Sequence, residues 1–186
     1  MIYRQNFTFY QKKTGFRHFA KAVLLALLVT NSIATAQAEL KLSPAHDVIF
    51  PSDRLDTSDG KGFSIADQNR AMIVNFWATW CAPCVTELPE LAEAAHLLSD
   101  DVDVVLISVD RKGAQHAQNF LDERKITGVI SAYNPKSDWP RSLKLRGLPS
   151  TYLISADQTD IYLVSGPASW ADEAILSKIK SLILTP

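Results

Sequence analysis

A strand–helix–strand pattern in the middle of the chain is the feature that most narrows the folds available to it. The runs Met72–Trp77 and Val102–Val109 are mostly continuous in apolar character, as expected of strands that are covered on both faces of a sheet. Apolar residues between the two runs recur at helical spacing: Val85, Leu88, Leu91, Ala92, Ala95 and Leu98. We therefore expect two parallel strands joined by a right-handed helical crossover.

Beyond the second strand, the pattern predicts shorter elements. We expect a second helix over Ala114–Arg124, with Phe120 and Leu121 facing inward, and a short third helix after Ser137. The apolar run Thr151–Ile154 is then expected to begin an antiparallel hairpin.

The second strand of that hairpin is Ile161–Val164, and the polar segment 157–160 connects the two. Ser169–Asp172 has the pattern of a capping box that opens a last helix. The inner face of this helix is expected to carry four apolar residues: Ile175, Leu176, Ile179 and Leu182. The predicted order is β-α-β-α followed by β-β-α.

The N-terminus has the pattern of an export signal. Residues 1–21 contain five basic residues and no acidic one: Arg4, Lys12, Lys13, Arg17 and Lys21. An apolar run, Ala22–Val29, and a stretch of small residues follow, which predicts a secretory signal peptide cleaved after Ala38, or after Ala36 as second choice. The alternative is an uncleaved membrane anchor, although the apolar run is shorter than the roughly 20 residues of a span. Either outcome predicts a periplasmic or other extracytoplasmic domain, where disulfides persist.

The remaining chain is expected to form one domain with an extension. Residues 1–38 are predicted as the signal peptide, 39–70 as an N-terminal extension with a short hairpin at the Asp59–Gly62 turn, and 71–186 as the core. The formal net charge is −1, which gives no argument for a nucleic-acid partner. We expect a monomer.

The two cysteines, Cys81 and Cys84, are the candidate reactive groups. A structural disulfide stabilises a fold mainly by closing a long loop, so a pair three positions apart is more typical of a reactive or metal-binding site. Zinc would need two further ligands, and His46, His96 and His116 show no ligand spacing. We therefore expect no metal and no cofactor beyond a redox-active disulfide.

The position of the pair between a strand and a helix suits disulfide exchange. Cys81 would lie at the helix N-terminus, where the positive end of the helix dipole lowers a thiol pKa and favours the nucleophilic thiolate. Cys81 would then be the exposed nucleophile, and Cys84, one turn later and more buried, would resolve the mixed disulfide. Ala82 and Pro83 form the active-site loop between them, and Pro83 is compatible with a first helical turn.

The stretch Asn75–Cys84 (Asn-Phe-Trp-Ala-Thr-Trp-Cys-Ala-Pro-Cys) resembles the active-site stretch of the thioredoxin superfamily, in particular the TlpA/ResA-type exported thioredoxins. This group includes the cytochrome c maturation reductases. Further segments fit the same group: Glu87, Pro89, Ile107–Arg111, Gly147–Thr151 and Gly166–Ala168. The resemblance covers about residues 45–184. It implies an α/β thioredoxin fold, with a central mixed sheet flanked by helices and an N-terminal hairpin extension.

The resemblance also implies roles for residues around the cysteines. Pro149 would be cis, which would expose the backbone of Leu148 for pairing with an extended substrate segment, whereas the residues alone also allow an ordinary trans turn proline. Trp80 would form an apolar collar around Cys81 that contacts partners. Trp77 is expected to pack beneath the site.

A proton relay is expected at Glu87. Cytosolic thioredoxins carry a buried acid at the position of Asn75, which cannot titrate, and exported relatives carry one at the position of Glu87. One turn from Cys84, this carboxylate would relay protons and tune the thiol pKa values if it is partly buried. Its alternative role is that of a solvated acid in the first helical turn. Pro89 is expected to kink the helix.

The resemblance implies a thiol–disulfide oxidoreductase that reduces disulfides of specific exported clients in cytochrome c maturation or in copper-protein and cytochrome oxidase assembly. A membrane electron-donor protein would then re-reduce the cysteines. A net disulfide-donating oxidase is the alternative, because direction depends on reduction potential. A copper-binding module of the Sco type would need a wider cysteine spacing and a distal histidine. Thr79 lies two residues before Cys81, a mismatch with peroxiredoxins, so peroxide turnover is not expected.

Overall fold

A computed structural model describes residues 40–184, and the predicted signal peptide or anchor lies outside them. The described part contains a seven-stranded mixed sheet in the order β1-β7-β6-β3-β4-β5-β2. Its strands are β1 Leu42–Pro44, β2 Asp56–Thr57, β3 Ala71–Trp77, β4 Val102–Ser108, β5 Ile130–Tyr133, β6 Ser150–Ile154 and β7 Ile161–Ser165. Its helices are α1 Ala82–Leu97, α2 Ala114–Glu123, α3 Asp138–Ser142 and α4 Glu173–Ile183, with a 3-10 turn at Ile65–Asp67. None of the helices within residues 40–184 is long and apolar enough to cross a bilayer.

The central strand β3 is buried along its whole length, as its continuous apolar sequence predicts. It pairs in parallel with β4, from Ala71 opposite Val102 to Trp77 opposite Ser108, and α1 connects the two strands. The predicted parallel crossover is therefore confirmed. On its other side β3 pairs antiparallel with β6, where Phe76 lies opposite Ser150.

This register brings three connections together at one end of the sheet. The loop that leads to the cysteines leaves the C-terminal end of β3, the 109–113 loop leaves the neighbouring end of β4, and the 143–149 loop enters β6. The ends of adjacent strands thus place the cysteines between two other loops. All later features of the candidate site lie at this end.

The predicted hairpin and second helix are confirmed to within one or two residues. Strands β6 and β7 pair antiparallel, with Ile154 opposite Ile161. In α2, Leu121 is buried, and Phe120 is half-buried with its ring centroid 5.8 Å from that of Trp77. Trp77 therefore packs in the core below the cysteine loop, as expected.

The capping box predicted at Ser169 is wrong. The N-cap of α4 is Asp172, whose Oδ1 accepts hydrogen bonds from the backbone N–H of Ala174 at 2.9 Å and Ile175 at 3.2 Å. The carbonyl of Ser169 instead accepts a hydrogen bond from the N–H of Asp172 in a preceding turn, and Trp170 between them is buried in the core. The inner face of α4 contains Ile175, Ile179 and Ile183 as buried residues, while Leu176 and Leu182 are only half-buried.

The N-terminal extension contributes to both edges of the sheet. The hairpin predicted at Asp59–Gly62 is present as a single bridge between Leu55 and Phe63. The two strands of the extension do not pair with each other, since β1 pairs antiparallel with β7 and β2 pairs antiparallel with β5. Strand β5, which the sequence patterns did not predict, lies parallel to β4.

Candidate active site

The two cysteines meet where β3 gives way to α1. Cys81 is the N-cap of α1 and has an extended backbone, and its Sγ accepts a hydrogen bond from the N–H of Cys84 at 3.3 Å. The two are joined by a disulfide with an S–S distance of 2.04 Å. Cys81 is 6% exposed and Cys84 is fully buried, so the expected difference in accessibility is present but small in the oxidised form. Ala82 and Pro83 lie exposed on the first turn.

The electrostatic setting of Cys81 favours a thiolate. The first turn of α1 contains no acidic residue, and its unpaired backbone N–H groups surround the N-cap position. A negative charge on Sγ is stabilised there by the helix dipole and by the N–H of Cys84. Pro83 occupies this turn without removing an N–H that the helix needs.

Glu87 is buried beneath the disulfide rather than solvated. Its side chain is 3% exposed, and it lies one turn along α1 from Cys84 on the same face. Oε2 accepts hydrogen bonds from Trp170 Nε1 at 2.9 Å and from the N–H of Ala168 at 3.1 Å, and Oε1 accepts one from Asn75 Nδ2 at 2.8 Å. Among the described residues, three donors and no acceptor therefore face the two oxygens, which is the arrangement that an ionised carboxylate needs.

Two opposing effects act on the pKa of Glu87. Burial raises this pKa above its usual value, because the charged form loses hydration. The hydrogen bonds from Trp170, Asn75 and Ala168 oppose the rise, and the nearby carboxylate of Glu90 adds to it. The net direction is upward, so Glu87 holds a proton more readily than an exposed glutamate does.

Asn75 connects the central strand to this carboxylate. Its Nδ2 donates both to Glu87 and to Thr151 Oγ1 at 2.9 Å, while its Oδ1 has no hydrogen-bond partner within residues 40–184. An amide at this position thus supplies a donor to Glu87, where a second acid would compete with it for a proton. The sequence patterns predicted neither this contact nor the contacts of Glu87 with Ala168 and Trp170.

A second buried acid holds the loop that leads to Cys81. Asp110 lies at the end of β4, where its Oδ2 accepts from the N–H of Thr79 at 2.8 Å and from Ser108 Oγ at 3.2 Å. Its Oδ1 accepts from Thr79 Oγ1 at 3.0 Å, and that hydroxyl also lies 3.3 Å from His116 Nε2. In the sequence, Asp110 stands out only as part of the family-like stretch Ile107–Arg111. Its position directly after a predicted buried strand is the one local feature that indicates a role at this end of the sheet.

The region around Pro149 lies beside the cysteine loop. The Leu148–Pro149 peptide bond is cis, as the resemblance implied. Pro149 itself is buried, and its carbonyl accepts from the N–H of Gly166 at 3.0 Å. Leu148 is half-buried, and within residues 40–184 its backbone N–H and C=O have no hydrogen-bond partner. On the cysteine loop itself, Trp80 exposes 68% of its surface, an unusually large exposure for an apolar side chain.

The described residues contain no group of three or more histidine, cysteine or acidic side chains that could hold a metal ion. Near the cysteines lies instead the Glu87 carboxylate, one turn along α1 from Cys84, on which one amide, one indole and one backbone N–H converge. This set can carry a disulfide through reduction and reoxidation, with a buried group available to exchange a proton.

Comparisons with known proteins also indicate thiol–disulfide chemistry. The Redoxin family matches residues 44–179. Sporulation thiol-disulfide oxidoreductase A of Bacillus subtilis is 28% identical over 137 residues, covering 72% of this chain and 79% of that protein. Thiol-disulfide oxidoreductase ResA of Oceanobacillus iheyensis is 25% identical over 178 residues, covering 89% and 90%.

Solved structures show the same fold. StoA from Bacillus subtilis has a TM-score of 0.56 at 21% identity and covers 71% of this chain and 98% of its own. The match to the Redoxin family extends over most of the chain, and both relatives named above are thiol-disulfide oxidoreductases. The chain therefore belongs to the Redoxin family, and it is a thiol–disulfide oxidoreductase with a thioredoxin-like fold.

Proposed function

We propose that this protein reduces disulfides of specific exported client proteins, with Cys81 as the nucleophile and Cys84 as the resolving thiol. The observation that carries the proposal is the placement of the Cys81–Cys84 pair at the N-terminus of α1, with the buried Glu87 carboxylate one turn below. This arrangement supplies an attacking thiolate, a second thiol within bonding distance and a buried group that can hold a proton.

The reaction then proceeds in two exchanges. The Cys81 thiolate attacks one sulfur of the client disulfide, which forms a mixed disulfide and releases the other client sulfur as a thiolate. Cys84 loses its proton and attacks Cys81 Sγ, which releases the second client thiolate and forms the Cys81–Cys84 disulfide. The client gains two electrons and this protein loses the same two. The client thiolates are protonated by two protons, one from Cys84 and one from solvent, which received the Cys81 proton when that thiol ionised.

Glu87 is proposed to accept the proton of Cys84. The two residues share one face of α1, and burial of Glu87 raises its pKa toward that of a thiol. Glu87→Gln should slow the resolving step and shift its pH dependence upward, since Cys84 must then deprotonate without a base. The matched control is Glu93→Gln, which removes an exposed carboxylate from the same helix. Unchanged thiol pKa values and reduction rates in Glu87→Gln would refute the relay.

Client docking is proposed at Leu148 and Trp80. The unpaired backbone groups of Leu148 can pair with an extended client segment, as an additional strand pairs with a sheet edge. The exposed Trp80 ring, on the residue before Cys81, offers an apolar surface to the same segment. In a Cys84→Ser variant the client should remain attached to Cys81, whereas Cys81→Ser should capture nothing.

The direction of electron transfer is tested by the reduction potential. A net reductase should have a potential near that of thioredoxin, about −270 mV, and a disulfide donor one near that of DsbA, about −120 mV. Equilibration of the purified protein with glutathione or dithiothreitol measures it. A value at the DsbA end would refute the reductive role and favour the oxidase.

The cellular setting follows from the N-terminal pattern. A signal peptide over 1–38 would place the domain in a periplasmic or other extracytoplasmic space, where a membrane electron-donor protein must re-reduce Cys81 and Cys84. The client classes proposed from the family resemblance are apocytochrome c haem-site cysteines and copper-delivery proteins. Trapping with Cys84→Ser in the exporting cell, followed by identification of the disulfide-linked protein, tests both the place and the class.

A further inference from the structure

The disulfide lies between two loops whose exposed charged side chains are all basic. The loop after β4 presents Arg111 and Lys112, and the loop before β6 presents Lys144 and Arg146. Because β3 lies between β4 and β6, the cysteine loop runs between these two loops at the same end of the sheet. Both loops therefore lie beside the approach to Cys81.

Each loop borders a groove. The groove beside Pro149 has a volume of about 610 Å³, and its charged lining residues are Lys41, Lys144 and Arg146. The groove beside Trp80 has a volume of about 550 Å³ and is lined by Arg111 and Lys112. Its one acidic lining residue, Asp110, is buried and uses both carboxylate oxygens to hold Thr79. The accessible charge in both grooves is therefore positive.

The acidic side chains in the described part of the chain do not neutralise these five cations. Within residues 40–184, none of them is in an ion pair with an acidic side chain, and the ion pairs that do form involve other residues. The chain has 19 basic and 20 acidic residues, and five of the basic ones but none of the acidic ones precede residue 22. The described domain is thus acidic overall. Against that background, positive charge is concentrated in the two loops that flank the disulfide, whereas a further pocket, beside Pro83, is lined by Glu87 and Glu90.

We propose that the two grooves bind an acidic client segment, so that the preferred substrate carries aspartate or glutamate residues beside its reactive cysteine. This inference rests on the proposed function, in which the client pairs with the backbone of Leu148 and places its flanking residues along the groove beside Pro149. Complementary charge accelerates the encounter of such a segment with Cys81 and disfavours basic segments. The charge of this surface thus contributes to client choice in addition to the disulfide chemistry.

The first experiment compares three peptides of equal length that carry one cysteine each as a mixed disulfide with thionitrobenzoate. The cysteine is flanked by aspartate and glutamate, by asparagine and glutamine, or by lysine. The reduced protein should react with the acidic peptide about tenfold faster than with the basic one at low ionic strength, and the ratio should approach one in about 0.5 M salt. Equal rates for all three peptides at low salt would overturn the inference. Failure to react with any peptide would instead refute the proposed function.

The second experiment locates the preference. Lys144→Glu/Arg146→Glu should reduce the ratio of acidic to basic peptide rates at least about fivefold. The matched control is Lys178→Glu/Lys180→Glu on the exposed face of α4, which changes the net charge by the same amount and should leave the ratio unchanged. A ratio compares two peptides on one variant, so an altered thiol pKa cancels.

A loss of preference in the α4 control equal to that in the groove variant would show that net charge alone sets the rates, and would overturn the assignment to the grooves. If the charge-reversed groove variant does not fold, Lys144→Gln/Arg146→Gln replaces it, and the same ratio is expected to fall in the same direction. Arg111→Glu/Lys112→Glu repeats the comparison for the groove beside Trp80.

Discussion

Replacing Asn75 by aspartate would place a second carboxylate against Glu87 in the interior. The change keeps the size of the side chain and converts the Nδ2 donor, 2.8 Å from Glu87 Oε1, into an oxygen. Two carboxylates at this distance cannot both be ionised, so the folded variant must retain one proton that the unfolded chain releases at neutral pH. The hydrogen bond is then made by the retained proton instead of the amide.

The size of the effect follows from the cost of retaining that proton. A carboxyl with an ordinary pKa near 4 costs about 1.4 kcal/mol per pH unit to keep protonated, which gives about 4 kcal/mol at pH 7. The repulsion between two charges about 4 Å apart at an effective dielectric constant of about 20 has a similar magnitude, about 4 kcal/mol. Since the retained proton restores one hydrogen bond, we expect Asn75→Asp to lower the free energy of unfolding by about 3 to 4 kcal/mol at pH 7.

The loss should depend on pH with a definite sign. The folded variant binds more protons than the unfolded chain, so its stability falls as the pH rises and recovers as the pH falls. Relative to the wild type at each pH, the deficit should shrink to about 1 kcal/mol at pH 5. Urea unfolding of the oxidised protein at several pH values between 5 and 8 measures this, because the thiols do not titrate in the disulfide form.

A deficit that stays constant between pH 5 and pH 8 would refute this account, since it would mean that Glu87 is already protonated in the wild type. The double variant Asn75→Asp/Glu87→Gln is the control. It leaves one carboxylate in the pair, so the pH-dependent part of the deficit should disappear while any loss from repacking remains.

Three further substitutions test single contacts. Trp170→Phe removes the indole donor to Glu87 and should lower the free energy of unfolding in urea by about 1.5 kcal/mol. It should also raise the Glu87 pKa further, which NMR measures. An unchanged pKa would show that the indole does not stabilise the charged form. Asp110→Ala removes the acceptor of the Thr79 N–H and should lower the free energy of unfolding in urea by about 2 kcal/mol. Hydrogen exchange at the Thr79 amide should accelerate, and an exchange rate equal to that of the wild type would contradict the contact. Asp172→Ala removes the N-cap of α4 and should lower the unfolding free energy by about 1 kcal/mol at an unchanged denaturant slope, and no shift in the urea midpoint would mean that another group caps this helix.

The sequence predicted those elements of the fold whose own residues reveal their burial. β3 and β4 are long and continuously apolar, so their burial on both faces is visible in the pattern. β5 has the sequence Ile-Ser-Ala-Tyr, which is too short and too mixed to mark a strand, and its position depends on pairing with β4. The extension strands β1 and β2 depend in the same way on the sheet edges that receive them.

The candidate site likewise contains residues that local sequence patterns indicate and contacts that they do not. Cys81 and Cys84 are marked by their spacing and by the strand-to-helix transition, and Glu87 could be singled out through the family-like stretch around them. Glu87 contacts Ala168 and Trp170, which follow it in the sequence by 81 and 83 positions. No local sequence pattern indicates contacts over such separations. The sequence therefore indicated the reacting groups, while the groups that set their protonation became visible only when the chain was folded.

The two short strands of the N-terminal extension also bear on how the protein behaves at high concentration. An uncovered sheet edge is a template on which another chain can add a strand, and such pairing leads to aggregation. β1 and β2 occupy both edges of the five-stranded centre with only three and two residues, and β1 ends in Pro44, which has no N–H to offer. Residues 40–70 therefore protect the sheet against intermolecular strand addition. Such protection suits a protein with reactive thiols, because an accidental association could be made permanent by an intermolecular disulfide.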